Sequence, residues 1–148
     1  MALQWDQITS IATIVGVVGG LISVYFVVLE IRRSAQATEG ATVQSLMSME
    51  KDVFGLLANH ASMYLRGCDD ISNLSAVEKF QFERLVAVQM SLSYSAFVQY
   101  GQGLIDDEVW EAYANALKKY LSAEGFRASW KTMELQYPKS FREIADKS

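Results

Sequence analysis

The chain has 148 residues, 51% of them hydrophobic, and 13 Lys+Arg against 17 Asp+Glu give a formal net charge of −4. No cluster of basic residues is present, which excludes the electrostatic footprint of a nucleic-acid-binding protein. A single cysteine, Cys68, and a single histidine, His60, exclude an intrachain disulfide and any site needing two histidines.

From Gln7 to Leu29 no residue is charged, and the run stops at Glu30-Ile31-Arg32-Arg33. At 1.5 Å of rise per residue it covers roughly 34 Å, enough to cross a hydrocarbon core of ~30 Å. The expectation is a transmembrane anchor over 1–33, with the lipid bilayer as its first partner. A basic n-region is missing, and the apolar run exceeds the usual 7–15 residues of a secretory signal, so an uncleaved anchor is expected. Arg32 and Arg33 follow the span while only Asp6 and the amine precede it. The positive-inside rule therefore places the N-terminus outside and the following domain in the cytoplasm of a bacterial inner membrane. Trp5 and Tyr25 mark the two interfaces, where aromatic rings favour the headgroup layer. Thr9, Thr13, Gly16, Gly20 and Ser23 recur at spacings of three and four, and Gly16 to Gly20 forms a GxxxG. Small residues let helices approach closely in lipid, so this face is expected to pack on itself or on another integral membrane protein.

Residues 34–45 are small and polar on every side and read as a helical stalk. From Val43 an apolar stripe returns through Leu46, Met47, Val53, Phe54, Leu57, Tyr64 and Leu65, closing at Gly67 as a C-cap. Ser75-Ala76-Val77-Glu78 has the form of a capping box opening a helix that reaches about Tyr100. The uncharged stretch from Leu85 to Ile105 is too rich in Ser and Gln for a second span and reads as a central bundle helix surrounded by neighbours. Gly101-Gln102-Gly103 breaks it, and Asp106 or Asp107 caps the next helix. That helix carries Val109, Trp110, Tyr113, Leu117, Tyr120 and Leu121 on one face and is expected to end at Gly125. Phe126, Trp130, Met133 and Tyr137 mark a further helix, stopped before Pro138. Phe141, Ile144 and Ala145 mark a last one. The expected fold is all-α: an anchor, a stalk, and a helical bundle of four to five helices over 46–148.

Leu29-Glu30-Ile31-Arg32-Arg33, Leu57-Ala58-Asn59-His60, Glu78-x-Phe80-x-Phe82-x-Arg84, Gln99-Tyr100-Gly101-x-Gly103, Gly125-Phe126-Arg127-x-x-Trp130 and Tyr137-Pro138-x-x-Phe141 run along nearly the whole chain. In these motifs it resembles an uncharacterised proteobacterial family with one N-terminal span and a small helical domain of unknown function. The resemblance implies this architecture and carries no activity or ligand.

Chemistry-bearing patterns are sparse. No Ser-His-Asp or Cys-His site is expected, because Asp69 and Asp70 beside Cys68 would raise its thiol pKa rather than lower it. The Glu-x-x-His motif of di-iron bundles is absent. Asp106, Asp107 and Glu108 have a sufficient role at a helix start, where the macrodipole favours acid. No catalytic residue, metal ligand or cofactor site is therefore expected. Gln89, Ser91, Ser95 and Gln99 are the polar residues of the central helix able to line a partner or ligand surface. Two functions follow: a non-enzymatic membrane-anchored interaction protein, self-assembling or an accessory subunit of a larger complex, or a sensory adaptor whose bundle binds a ligand.

Overall fold

A computed structural model describes the backbone of residues 2–147 and the side chains of residues 20–147. Every regular element among them is helical. Helix α1 spans Ala2–Asn59, α2 Ala61–Asp69, α3 Ala76–Gly101, α4 Asp107–Leu121, α5 Glu124–Met133 and α6 Lys139–Lys147, with short 3₁₀ turns at Ile71–Asn73 and Glu134–Gln136. The chain divides into two compact units, residues 1–40 and 41–148.

In the first unit α1 is continuous, as expected where neither proline nor a turn cluster interrupts helix-compatible residues. Leu21, Ile22, Val24, Tyr25, Phe26, Val27, Val28 and Ile31 are all exposed. Among the described residues no helix is long and apolar enough to cross a membrane. Most of the charge-free run, with Trp5, Thr9, Thr13 and Gly16, lies outside the described side chains. Gly20 and Tyr25 are exposed, as are Ser23, Arg32 and Arg33.

The second unit contains the end of α1 and helices α2–α6. The stripe expected to run unbroken from Val43 to Leu65 is interrupted at His60. Its N–H bonds back to Leu57 O at 3.1 Å, a tightened i to i−3 turn, and α2 restarts one residue later. The break explains why the bundle holds one helical segment more than the periodicity suggested. Only part of the stripe is buried: Leu46 and Val53 are covered, whereas Met47 and Phe54 are 62% and 50% exposed. The helix docks through an arc narrower than its apolar face.

The central packing gathers Met63 from α2, Phe82, Val86 and Met90 from α3, Leu117 and Leu121 from α4, Phe126 and Trp130 from α5, and Phe141 from α6. A smaller cluster around Leu46, Ala96 and Ile105 seats α1 against α3 and α4. Phe141 is fully buried and its ring meets Tyr94 at 5.2 Å, Phe97 at 5.5 Å and Tyr137 at 5.6 Å. The aromatic density of the last helices is thus core, with edge-on and tilted ring pairs that add to their area burial.

The starts of α3 and α4 follow side-chain caps. Ser75 Oγ accepts from Glu78 N–H, and Glu78 Oε2 accepts from Ser75 N–H at 2.9 Å, completing the capping box of α3. Asp106 Oδ1 accepts from Val109 N–H at 2.8 Å and caps α4. Gly103, at φ 69°, supplies the left-handed turn between them.

Two glycines have a different role from the one expected. Gly67 lies inside α2 and Gly125 in the first turn of α5, so neither terminates a helix. Both are buried where α2 crosses α5. A Cβ on Gly125 would lie 1.7 Å from Gly67 O, and one on Gly67 would lie 2.5 Å from the Phe82 ring. Backbone meets backbone here, and only glycine permits it.

Candidate functional site

Helix α3 presents two apolar faces. One carries Phe82, Leu85, Val86 and Met90 into the core. The other carries Phe80, 61% exposed, and Val88, 38% exposed, toward solvent along one flank of α1. The stretch expected to be surrounded by neighbours, from Leu85 to Ile105, buries Leu85, Val86, Gln89, Met90, Ser93, Ala96 and Ile105 and leaves Val88 on its open side. From Leu85 on, the uncharged part of α3 covers a core on one side and floors a groove on the other.

The groove lies between the end of α1 and residues 80–95 of α3, in two adjoining depressions of about 260 and 250 Å³. Met49, Asp52, Val53 and Leu56 of α1 and Val88, Ser91, Leu92 and Ser95 of α3 line the first. Leu56 of α1, His60 just beyond its end, and Phe80, Gln81, Arg84, Leu85 and Val88 of α3 line the second. Residue numbers rise along α1 as they fall along α3, so the two helices run antiparallel across the groove. Leu56 and Val88 belong to both depressions and form its middle.

The four polar residues singled out on α3 separate by helical phase. Ser91 and Ser95 line the groove. Ser91 Oγ also sits 3.4 Å from the Tyr137 hydroxyl. Gln89 turns inward, 2% exposed, where its Oε1 accepts from the Tyr64 hydroxyl at 2.8 Å. Gln99 is half-buried near the far end of α3 and does not line the groove. Sequence reasoning missed Met49, Asp52, Leu56, Phe80, Arg84 and Val88. The available signal was a second apolar stripe on α3, Val77, Phe80 and Val88, out of phase with the core stripe.

Charge in the groove is limited to Asp52 at one end and Arg84 at the other. The Arg84 guanidinium lies 5.5 Å from the centre of the Phe80 ring, a cation–π distance. Asp52 makes no hydrogen bond or ion pair among the described residues.

Elsewhere, Cys68 is half-buried against Tyr64, and burial pushes its thiol up, partly offset by the Tyr64 hydroxyl. The direction matches the expectation, but the cause is desolvation rather than the neighbouring aspartates. Burial likewise raises Tyr64, and with the Glu50 carboxylate nearby it pushes Tyr113 up to about 12. These phenols stay protonated donors in a half-apolar setting. No group of three or more His, Cys, Asp or Glu converges among the described residues.

Comparison of the chain with models of protein families, with curated proteins and with solved structures finds no match.

Proposed function

We propose that the chain is a non-enzymatic, membrane-anchored interaction protein, self-assembling or an accessory subunit of a larger membrane complex. The observation that carries the reading is the uncovered apolar surface of the first unit. Eight large apolar side chains between Leu21 and Ile31 are exposed. The uncharged sequence continues them back to Gln7. Such a surface is stable only in lipid or against another protein. Arg32 and Arg33 orient the body toward the cytoplasm by the positive-inside rule. The uncovered groove of the body supports interaction as its role. Asp52, Ser91 and Ser95 in one depression and His60, Gln81 and Arg84 in the other are the groove's polar groups, set in a mainly apolar surface rather than converging on one point to orient a small polar ligand. That composition favours a protein partner over the sensory-adaptor reading.

The test is carbonate extraction of membranes, combined with protease access to a C-terminal tag in inside-out vesicles and intact cells. Retention in the membrane and access only in inside-out vesicles are expected. Release by carbonate refutes the anchor, and access in intact cells refutes the orientation. Gly16→Leu with Gly20→Leu is expected to weaken assembly in mild detergent, read by native mass spectrometry.

A further inference from the structure

We infer that the pocket where α5 meets the ends of α4 and α6 binds a small organic anion, its carboxylate or phosphate held between Arg127 and Lys147 and its apolar body over Trp130. The pocket shares no residue with the groove between α1 and α3. The inference goes beyond the proposed function and does not depend on it.

The pocket holds about 430 Å³, within the range of roughly 300–1,000 Å³ usual for small-molecule sites. Leu121 of α4, Trp130 of α5 and Ala145 of α6 give it an apolar floor, and all three are buried. Its charged lining is Arg127 and Lys131 of α5 with Asp146 and Lys147 of α6. Arg127, Trp130 and Lys131 are three and four residues apart, so a single face of α5 carries floor and cations together. The acid of this lining is already paired. Asp146 and Glu134 both lie 2.8 Å from Lys131 Nζ. Arg127 donates only from Nε, to Leu121 O at 2.9 Å, a bond that anchors the guanidinium at the end of α4. Its Nη1 and Nη2 and the Lys147 ammonium have no acceptor among the described residues. Helix C-termini favour nearby cations, which accounts for the Nε bond and leaves the planar fork open. Such a fork matches a carboxylate or phosphate with two parallel hydrogen bonds. The buried floor favours an anion with an aliphatic or aromatic body over a bare inorganic ion. Trp130 also has its indole Nε1 buried without a hydrogen-bond partner. A buried donor without an acceptor is uncommon and calls for a reason, and an anion seated on this floor is one.

The experiment is calorimetric titration of the full-length chain in mild detergent at low ionic strength, corrected against detergent alone. The probes are phenyl phosphate, benzoate, inorganic phosphate and the neutral benzyl alcohol. Saturable binding of phenyl phosphate or benzoate is expected, and the tighter of the two identifies the preferred head group. Inorganic phosphate should bind about tenfold more weakly than phenyl phosphate, for want of contact with the floor. Arg127→Gln should weaken binding of the aromatic anions by about tenfold or more, and Lys147→Gln by about threefold. Asp146→Asn removes the one acid of the lining and frees Lys131 from one partner, so it should tighten binding by about threefold. A folding defect cannot produce that gain. Lys51→Gln on α1 removes the same charge away from the pocket and should leave affinity unchanged. No saturable binding of either aromatic anion, or benzyl alcohol bound as tightly as benzoate, overturns the site. So does weaker binding by Asp146→Asn, or an equal loss in Lys51→Gln and Lys147→Gln. Inorganic phosphate bound as tightly as phenyl phosphate overturns the role of the floor.

Discussion

Gly125→Ala should cost the bundle several kcal/mol, although alanine is the better helix former. On helix propensity alone the substitution gains about 1 kcal/mol. Against that, the new Cβ would sit 1.7 Å from Gly67 O, and ordinary contact begins at 3.4 Å. Neither partner can turn aside, since one is the Cβ and the other a backbone carbonyl. The crossing of α2 and α5 must therefore open by about the difference between those distances. A radial gap of 0.5–1 Å already forfeits a quarter to a half of a van der Waals well. Here the gap would open beside Phe126 and Trp130, both buried. Overpacking typically costs about 1–3 kcal/mol, and a rigid backbone collision belongs at or above the top of that range. For a unit of this size the melting temperature should fall by on the order of 10–20 °C. Thermal denaturation of the full chain in mild detergent, followed by circular dichroism, measures it. Gly55→Ala is the control: nothing lies within 4 Å of its Cβ position, so it should raise stability by about 0.5–1 kcal/mol. A melting temperature for Gly125→Ala at or above wild type would refute the close crossing.

Glu78 has its carboxyl lowered from 4.5 to about 2, first by the Ser75 backbone N–H, then by the Ser75 hydroxyl and Arg66. Since the folded value lies below the unfolded one, its stabilisation is complete above about pH 4.5 and is lost as pH falls toward 2; Glu78→Gln should flatten that acid limb of a pH-dependent melting series. Tyr64→Phe leaves the buried Gln89 Oε1 without its 2.8 Å donor and should cost about 1–3 kcal/mol in denaturant titration. Adding Gln89→Met removes the stranded acceptor and should recover most of the loss. A fully additive double variant would exclude coupling between the two groups. Truncating the core through Trp130→Ala should cost about 3–5 kcal/mol, and a smaller loss would mean that α5 packs more loosely than its ring contacts indicate.

The caps of α3 and α4 were legible because each uses a local chemical device: Ser75 with Glu78, and Asp106 with its own first turn. The apolar period of α4 through α6 likewise named Leu117, Leu121, Phe126, Trp130, Met133 and Phe141 as core. The break at His60 was not legible, because the apolar stripe continues through it and no proline or glycine marks it. Gly67 and Gly125 read as stops because a sequence displays a missing side chain without displaying the neighbouring helix that needs the space.

The groove shows the same division. Ser91 and Ser95 were distinguishable as polar interruptions of α3, yet Gln89, two residues away from Ser91, points the other way by helical phase and serves the core. Asp52 and Arg84 are far apart in sequence, and only antiparallel packing of α1 on α3 puts them at opposite ends of one surface. The helical class, the start signals of α3 and α4 and the charge-free N-terminal run were readable along the chain, since each depends on residues within a turn or two of each other. Which apolar faces are covered emerged only from the packing, because burial depends on what each face meets across the bundle.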